Sequence, residues 1–385
     1  MGGRRVAGGW QRAGIWRLMK SQPPLAVDAM SAFSRSYAEA RQKFLDAARD
    51  AGAALTEFPH PTQRGARGEA LAIDVAWVGE ASARHCLMIS SGMHGVEGFC
   101  GAGAQVTLLR DAGLCAAARA ADAALLLVHA LNPYGFSHLR RVNEDNVDLN
   151  RNFLDFSRPL PENAAYAELA PLLLPEHWPA SQEDEASLHR MVAEKGLSWF
   201  QAAVSAGQYA FPDGLFFGGH KPAWSNYTLR RLLARFGAGR ASLRWLDIHT
   251  GLGPWGYGEP IYMGPDDARQ LANARAIWGR EVTSIHDGSS TSASLTGMAW
   301  RAIPETLPAL DYAGIALEFG TLPVGEVLEA LRGDHWLHLH PDADQGQRTL
   351  IQQGMWRAFY GDSDDWRAGV LEQVREAALR ALAGW

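Results

Sequence analysis

Cysteine is scarce in this chain, with 3 in 385 residues, at Cys86, Cys100 and Cys115. An odd count without CxxC spacing does not indicate a disulfide framework, and it is typical of small buried side chains in a reducing compartment. The cysteine content therefore predicts a cytoplasmic protein.

Long hydrophobic runs are also lacking. No apolar stretch approaches the roughly 18 residues that a transmembrane helix needs, so we expect no membrane partner. Residues 1–30 carry several arginines but no continuous apolar segment ahead of a small-residue cleavage site, which argues against a secretory signal. Because Met30 precedes the first convincing helix, we expect residues 1–30 to be either a disordered extension or a misassigned start.

A strong charge of either sign is the third absence. The chain has 36 Lys and Arg against 42 Asp and Glu, a formal net charge of −6, and its basic residues are scattered. Nothing in this distribution resembles the basic patch of a nucleic-acid-binding protein, so we expect no nucleic-acid partner. With 47% hydrophobic residues, the chain can bury a large core as one large α/β domain or two smaller ones.

Apolar segments that read as buried strands alternate with helical patterns. The four clearest strand-like runs lie at 86–90, 123–130, 244–248 and 314–317. Helical spacing is found at 34–51, with Ser34 or Ser36 as N-cap, and at 99–110 and 366–382. This alternation predicts a mainly parallel sheet covered by helices. The proline-rich range 157–240, in which 183–206 looks helical, could form a long insertion or a cap over a site.

Polar residues follow each of these strand-like runs, where open α/β sheets place their chemistry. The first run is followed by His94 and Glu97, the third ends at His249, and the fourth ends at Glu318. A catalytic zinc takes three nitrogen or oxygen ligands and leaves one position for water. We therefore predict His94, Glu97 and His249 as metal ligands and Glu318 as the general base.

Each residue also has a structural interpretation. His94 and Glu97 alone could be a strand-end histidine and a helix-capping glutamate. Glu318 could be a buried carboxylate that pairs with an arginine. Arg141 and Arg151 are candidates for stabilising an oxyanion and gripping a substrate carboxylate, although such polar loops are often solvated turns. Asp148 could orient a metal-bound imidazole.

The motifs occur together in an order that resembles the zinc carboxypeptidases of the carboxypeptidase A superfamily. They are His94-Gly-Val-Glu97, Asn132-Pro-Tyr-Gly135, Asp148-Leu-Asn-Arg-Asn152, His249 and Glu318. The resemblance implies a three-layer α/β sandwich, with a mixed, mostly parallel eight-stranded twisted sheet and helices on both faces. It also implies a single domain over residues 31–385, with the middle insertion at about 157–240.

The same resemblance implies roles for individual residues. One Zn²⁺ per chain would be bound by His94, Glu97 and His249. Arg141 would stabilise the oxyanion, and Glu318 would be the base. The clamp on the substrate carboxylate would be formed by Asn150 and Arg151.

Some details depart from the digestive enzymes of the superfamily. The shorter spacing leaves Arg140 open as the oxyanion arginine. The segments around His249 and Glu318 look more like the aspartoacylase and succinylglutamate desuccinylase branch. The substrate-closing tyrosine has three candidates, at Tyr257, Tyr262 and Tyr312. The pairing of HGxEG with NPYG and VDLNRNF is similar to a poorly characterised bacterial-type branch that carries a domain of unknown function.

These observations predict a zinc-dependent hydrolase of an amide bond beside a free carboxylate. A metallocarboxypeptidase is the first expectation, and an N-acyl amino acid deacylase is the alternative. The substrate would be a peptide or a small molecule with a free carboxylate. A zinc-binding protein without catalysis is a third possibility, but a structural zinc site closes its fourth position with another ligand, whereas this chain retains Glu318.

Overall fold

The computed structural model describes residues 27–383 and residue 385. The extension expected at residues 1–30 therefore lies mostly outside the described residues, and its last four residues belong to a 3₁₀ helix, Val27–Ala32. Among the described residues, no helix has the length and apolar character that crossing a membrane requires.

Eight strands in the described residues form one mixed sheet in the order β1-β2-β4-β3-β5-β8-β6-β7. Four of the seven neighbouring pairs are parallel and three are antiparallel. The predicted α/β class with an eight-stranded, mostly parallel sheet is confirmed. The strands are β1 Ala54–Arg64, β2 Ala70–Val78, β3 His85–Ser91, β4 Ala123–His129, β5 Ser242–Trp255, β6 Gly258–Tyr262, β7 Thr283–Ser284 and β8 Asp311–Gly320.

Thirteen α-helices of the described residues accompany the sheet. The helix predicted at 34–51 begins at Tyr37, because the Ser36 side chain caps it by accepting a hydrogen bond from Glu39 N. The helices are α1 Tyr37–Asp50, α2 Gly98–Leu109, α3 Ala112–Ala120, α4 Pro133–His138, α5 Ala164–Leu173, α6 Gln182–Lys195, α7 Leu197–Ser205, α8 Trp224–Gly237, α9 Ala268–Trp278, α10 Ala302–Thr306, α11 Val324–Leu339, α12 Gln345–Phe359 and α13 Asp364–Ala383.

Alternate residues of the central strands feed two separate apolar clusters, one on each face of the sheet. Leu87 and Ile89 of β3 pack with α1, α2 and α13, whereas Cys86 and Met88 pack with α8 and α10. This is the period-2 alternation of a strand that is buried on both faces. Helices therefore cover both faces of the sheet, as predicted.

The parallel centre of the sheet brings the polar strand ends together. β3 lies between β4 and β5, and β5 pairs with β8 in a register that sets His249 beside Glu318. All four strands run in the same direction, so the residues that follow them meet at one edge. The candidate site lies at this edge.

Candidate metal centre

His94 and Glu97 lie in a tight turn that follows β3. The turn begins at Gly92, whose φ of 63° favours glycine, and it continues into a 3₁₀ helix, Gly95–Glu97. The Gly95 amide donates to the Arg141 carbonyl oxygen at 3.1 Å, and a Cβ at Gly95 would collide with the backbone of Gly135. The close approach of two backbones therefore fixes the position of both side chains.

The three predicted ligands converge on one point. His94 Nδ1 lies 2.8 Å from Glu97 Oε1, and His249 Nδ1 lies 2.9 Å from Glu97 Oε2. The ligand atoms of the three residues all lie within 4.8 Å of one another, and all three side chains are buried. Two imidazoles and one carboxylate form a donor set that suits zinc, so the residues fit a single divalent ion.

Two further carboxylates contact the ring nitrogens of the imidazoles that face away from Glu97. His94 Nε2 lies 3.2 Å from Asp148 Oδ1, and His249 Nε2 lies 2.9 Å from Asp247 Oδ2. Asp247 in turn accepts a hydrogen bond from Ser90 Oγ at 2.6 Å. A carboxylate on the second ring nitrogen fixes the tautomer and directs the other nitrogen toward the metal position.

Burial and neighbouring charges have opposite effects on the pKa values of the carboxyl groups in this cluster. Burial alone would raise the pKa of the Glu97 carboxyl, but the charges of His94 and His249 outweigh it and hold that pKa well below its usual range. For Asp148, burial is likewise outweighed by the charges of Arg141 and Arg151, so its pKa is also lowered. Both carboxylates are therefore ionised at neutral pH.

Glu318 is the predicted base, and it lies at the C-terminal part of β8 next to the ligands. Its Oε1 accepts a hydrogen bond from the Leu252 amide at 3.0 Å, and its side chain lines the same cavity as the ligands. Burial, followed by the charge of Glu97, raises the pKa of Glu318 to about 7. In the described part of the chain Glu318 forms no ion pair with an arginine.

The neighbouring residues Arg140 and Arg141 contact different parts of the molecule. Arg141 lines the cavity, donates from Nε to Asp148 Oδ2 at 3.0 Å and donates from Nη1 to Glu97 Oε1 at 3.3 Å. Arg140 is buried and donates from Nε to both Asp334 oxygens at 3.1 Å. Of these two arginines, Arg141 therefore lies at the cavity, whereas Arg140 is paired with Asp334 outside the cavity lining.

Asn150 and Arg151, the predicted carboxylate clamp, both line the cavity. Asn150 Oδ1 accepts from the Ala299 amide at 2.9 Å, which leaves its Nδ2 as a donor. Arg151 uses three of its five N–H groups on the carbonyl oxygens of Ser205 and Asn150. Arg151 Nη1 also lies 3.9 Å from Asp148 Oδ1, so this guanidinium is held from several sides at the edge of the cavity.

Phe216 is a further candidate, and it lies in a glycine-rich aromatic turn whose sequence fits either a substrate-contacting loop or a structural turn. Its ring lies 5.3 Å from the guanidinium carbon of Arg141 and 5.5 Å from that of Arg151. Its φ is 54°, which is rare for a bulky side chain. The aromatic ring therefore supports both arginines from one side.

One cavity of about 200 Å³ contains the metal ligands, Glu318, Arg141, Asn150 and Arg151. Its walls are largely apolar, and they include residues of the 157–240 range such as Phe200 and Phe216. None of the three predicted candidates for a closing tyrosine lines this cavity in the described structure.

Several solved structures are similar to this chain. The carboxypeptidase A from Helicoverpa armigera has 15% identity and a TM-score of 0.44, over 96% of this chain and 80% of that chain. Bovine thrombin-activatable fibrinolysis inhibitor has 12% identity and a TM-score of 0.41, over 89% and 97%. A metallo-carboxypeptidase from Burkholderia cenocepacia has 12% identity and a TM-score of 0.37, over 83% and 67%.

No curated protein matches the chain. A family model described as "Protein of unknown function (DUF2817)" matches residues 33–373, a range that includes every residue of the metal centre. The predicted likeness to a branch that carries a domain of unknown function is thereby confirmed. The chain belongs to the family of proteins of unknown function that this model, DUF2817, defines.

Proposed function

We propose that this protein is a zinc-dependent hydrolase that cleaves an amide bond next to a free carboxylate. The observation that carries the proposal is the convergence of His94, Glu97 and His249 in one buried cavity with Glu318 and Arg141. A ligand triad beside a carboxylate and a guanidinium contains the groups that metal-assisted amide hydrolysis requires.

Each side chain has a task in this reaction. Bound zinc would supply a Lewis acid and make a water molecule acidic enough to ionise near neutral pH. Glu318 accepts the proton of the attacking water and passes it to the departing nitrogen. Arg141 stabilises the negative charge that develops on the carbonyl oxygen. Asp148 and Asp247 hold the two imidazoles in a fixed orientation throughout the reaction.

The substrate carboxylate would lie against Asn150 and Arg151. Two kinds of substrate present a carboxylate next to a scissile amide: a peptide at its C-terminal residue, which makes the protein a metallocarboxypeptidase, and an N-acyl amino acid, which makes it a deacylase. Both reactions use the same residues in the same roles. The polarity of the cavity walls bears on which of the two substrates, the peptide or the N-acyl amino acid, the site accepts.

The compartment proposed is the cytoplasm. Cys86 and Cys100 are buried, and neither they nor Cys115 forms a disulfide in the described structure. Unpaired cysteines are typical of a reducing environment.

Product identification by mass spectrometry tests the proposal. The zinc-loaded protein is incubated with a pool of peptides and N-acyl amino acids beside a Glu318→Gln control that is first shown to bind zinc. We expect only the wild-type protein to release C-terminal residues or acyl groups, because loss of a general base costs about 10²- to 10⁴-fold in rate. Zinc binding without turnover would identify a metal-binding protein without catalysis. Equal product from both proteins would show that Glu318 is not the base.

A further inference from the structure

Two helices, α7 and α11, each contribute apolar side chains to the wall of the cavity. The residues contributed by α7 recur at helical spacing, and so do those of α11. All of these residues except Leu197 pack in a third apolar cluster that is separate from the two clusters on the sheet faces. The wall residues are Leu197, Phe200 and Val204 of α7 and Val327, Leu328 and Leu331 of α11.

This apolar surface extends from the metal centre to the solvent. Leu197 is 63% exposed at the start of α7, and Val324 is 52% exposed at the start of α11. Both residues also line the cavity, whereas Phe200 and Val327 deeper in the wall are buried. Exposed large apolar residues that continue into a cavity mark a surface for an apolar ligand.

Three polar side chains of the cavity wall already donate to backbone carbonyl oxygens of the protein. Gln201 Nε2 donates to the Thr291 carbonyl oxygen at 3.2 Å, and Ser205 Oγ donates to the Gln201 carbonyl oxygen at 2.5 Å. Thr250 Oγ1 donates to the Phe359 carbonyl oxygen at 2.7 Å. A peptide brings an N–H and a C=O group with every residue, and these groups need partners when they are buried. A hydrocarbon chain needs none.

We infer that the substrate is an N-acyl amino acid whose acyl group is a long aliphatic chain. The inference rests on the proposed function and names its substrate class. The amino acid carboxylate binds Asn150 and Arg151, the amide lies at the metal centre, and the chain lies between α7 and α11. Water adds its hydroxyl to the acyl carbon as the C–N bond breaks, which gives a fatty acid, and the nitrogen gains the proton to give a free amino acid.

A chain-length series tests the inference. The zinc-loaded enzyme is assayed with N-acetyl, N-octanoyl and N-lauroyl derivatives of one amino acid, beside peptides of matching length that end in the same residue. Each buried methylene should raise kcat/KM about fourfold until the wall is filled, so the octanoyl substrate should exceed the acetyl substrate by at least about 100-fold. Cleavage with no dependence on chain length, or a preference for the peptides, overturns the inference and leaves the proposed function standing. If no N-acyl amino acid and no peptide is cleaved, both the inference and the proposed function are wrong.

Binding without turnover provides a second readout. In the zinc-loaded Glu318→Gln protein, calorimetry with the same ligands should show the same rise in affinity with chain length. Adding Leu328→Gln should reduce the lauroyl-to-acetyl affinity ratio about tenfold, because it places an amide in the wall. The matched change Leu350→Gln, at a residue that is 69% exposed and outside this cavity, should leave the ratio unaltered. Equal effects of the two changes would contradict the placement of the acyl chain.

Discussion

The ring of Phe216 lies 5.3 Å from the guanidinium carbon of Arg141, and the same ring lies 5.5 Å from that of Arg151. Phe216 has a φ of 54°, a conformation that bulky residues rarely adopt. Backbone strain of this kind persists only where the surroundings impose it, and it clusters at functional sites. We therefore interpret Phe216 as the residue that keeps the two arginines in place beside the cavity.

Phe216→Leu should lower kcat/KM about tenfold and leave zinc affinity unchanged. Leucine keeps the apolar contact but loses the attraction between the ring and two cations, at about 0.5–1 kcal/mol each. Steady-state kinetics and a zinc titration measure the two quantities. Phe211→Leu is the control, since Phe211 packs on Tyr166 instead. A similar loss of activity in both variants would point to general loosening of this region.

Phe216 shows why part of the site could not be predicted from the sequence. It lies in the 157–240 range, where prolines obscure the periodicity, and in a glycine-rich aromatic turn of a kind that is more often structural than functional. Asp247 was also missed as the partner of His249, although an acid two residues before a strand histidine lies on the same face and is a usable signal. By contrast, His94, Glu97, His249 and Glu318 were predicted together because each follows an apolar run.

The sheet was predictable to a similar degree. The central strands β3, β4, β5 and β8 are continuous apolar runs, and the sequence indicates all four. β1 is an edge strand with two prolines, Pro59 and Pro61, so it lacks a strand pattern. β6 contains Pro260, and β7 has only two residues. The range 183–206 was predicted as one helix, but Gly196 divides it into α6 and α7.

Substitution of each neighbouring arginine distinguishes their roles. Arg141→Met should lower kcat about 100-fold, because in the proposed reaction it removes the charge that stabilises the oxyanion. Arg140→Met should instead lower the free energy of unfolding by about 3 kcal/mol, because it leaves Asp334 buried without its partner. Chemical denaturation and kinetics at a temperature where both variants are folded measure these effects. Adding Asp334→Asn to Arg140→Met should restore part of the stability. If Arg140→Met instead lowered kcat and Arg141→Met lowered stability, the roles of the two arginines would be exchanged.

Asp148→Asn and Asp247→Asn should each weaken zinc binding by about 10- to 100-fold, because each removes the carboxylate that orients an imidazole. Competition with a chelator measures the affinity. At saturating zinc, Asp148→Asn should have the lower kcat of the two, since Asp148 also binds Arg141. Asp155→Asn, at an exposed carboxylate, serves as the control. Unchanged zinc affinity in both variants would refute the orienting role.

His129 is a buried histidine outside the metal centre. Its ring stacks on Phe44 with a centroid distance of 4.8 Å, and in the described structure neither ring nitrogen has a hydrogen-bond partner. Burial, aided by the charge of Arg41, lowers the pKa of His129 from 6.5 to about 3. The other ionisable groups nearby are Asp74, which binds Arg41 at 2.6 Å, and Tyr37, whose hydroxyl binds the backbone of Ala72.

His129 should therefore make the fold sensitive to acid. Between the unfolded pKa of 6.5 and the folded pKa of about 3, the unfolded chain binds a proton that the folded protein does not, so stability falls as the pH falls. This contribution amounts to about 2 kcal/mol between pH 6.5 and pH 4.5. The penalty fades as the pH rises through 6.5 and is negligible by pH 8.

His129→Leu should remove this contribution. Denaturation at a series of pH values should show the variant losing less stability than wild type between pH 6.5 and pH 4.5. At pH 8 it should be at least as stable, since leucine leaves no buried nitrogen without a partner. His177→Leu, at an exposed histidine, should follow the wild-type curve. If the His129→Leu curve instead runs parallel to wild type, His129 is protonated in the folded protein and its ring nitrogens have found a partner, such as a buried water.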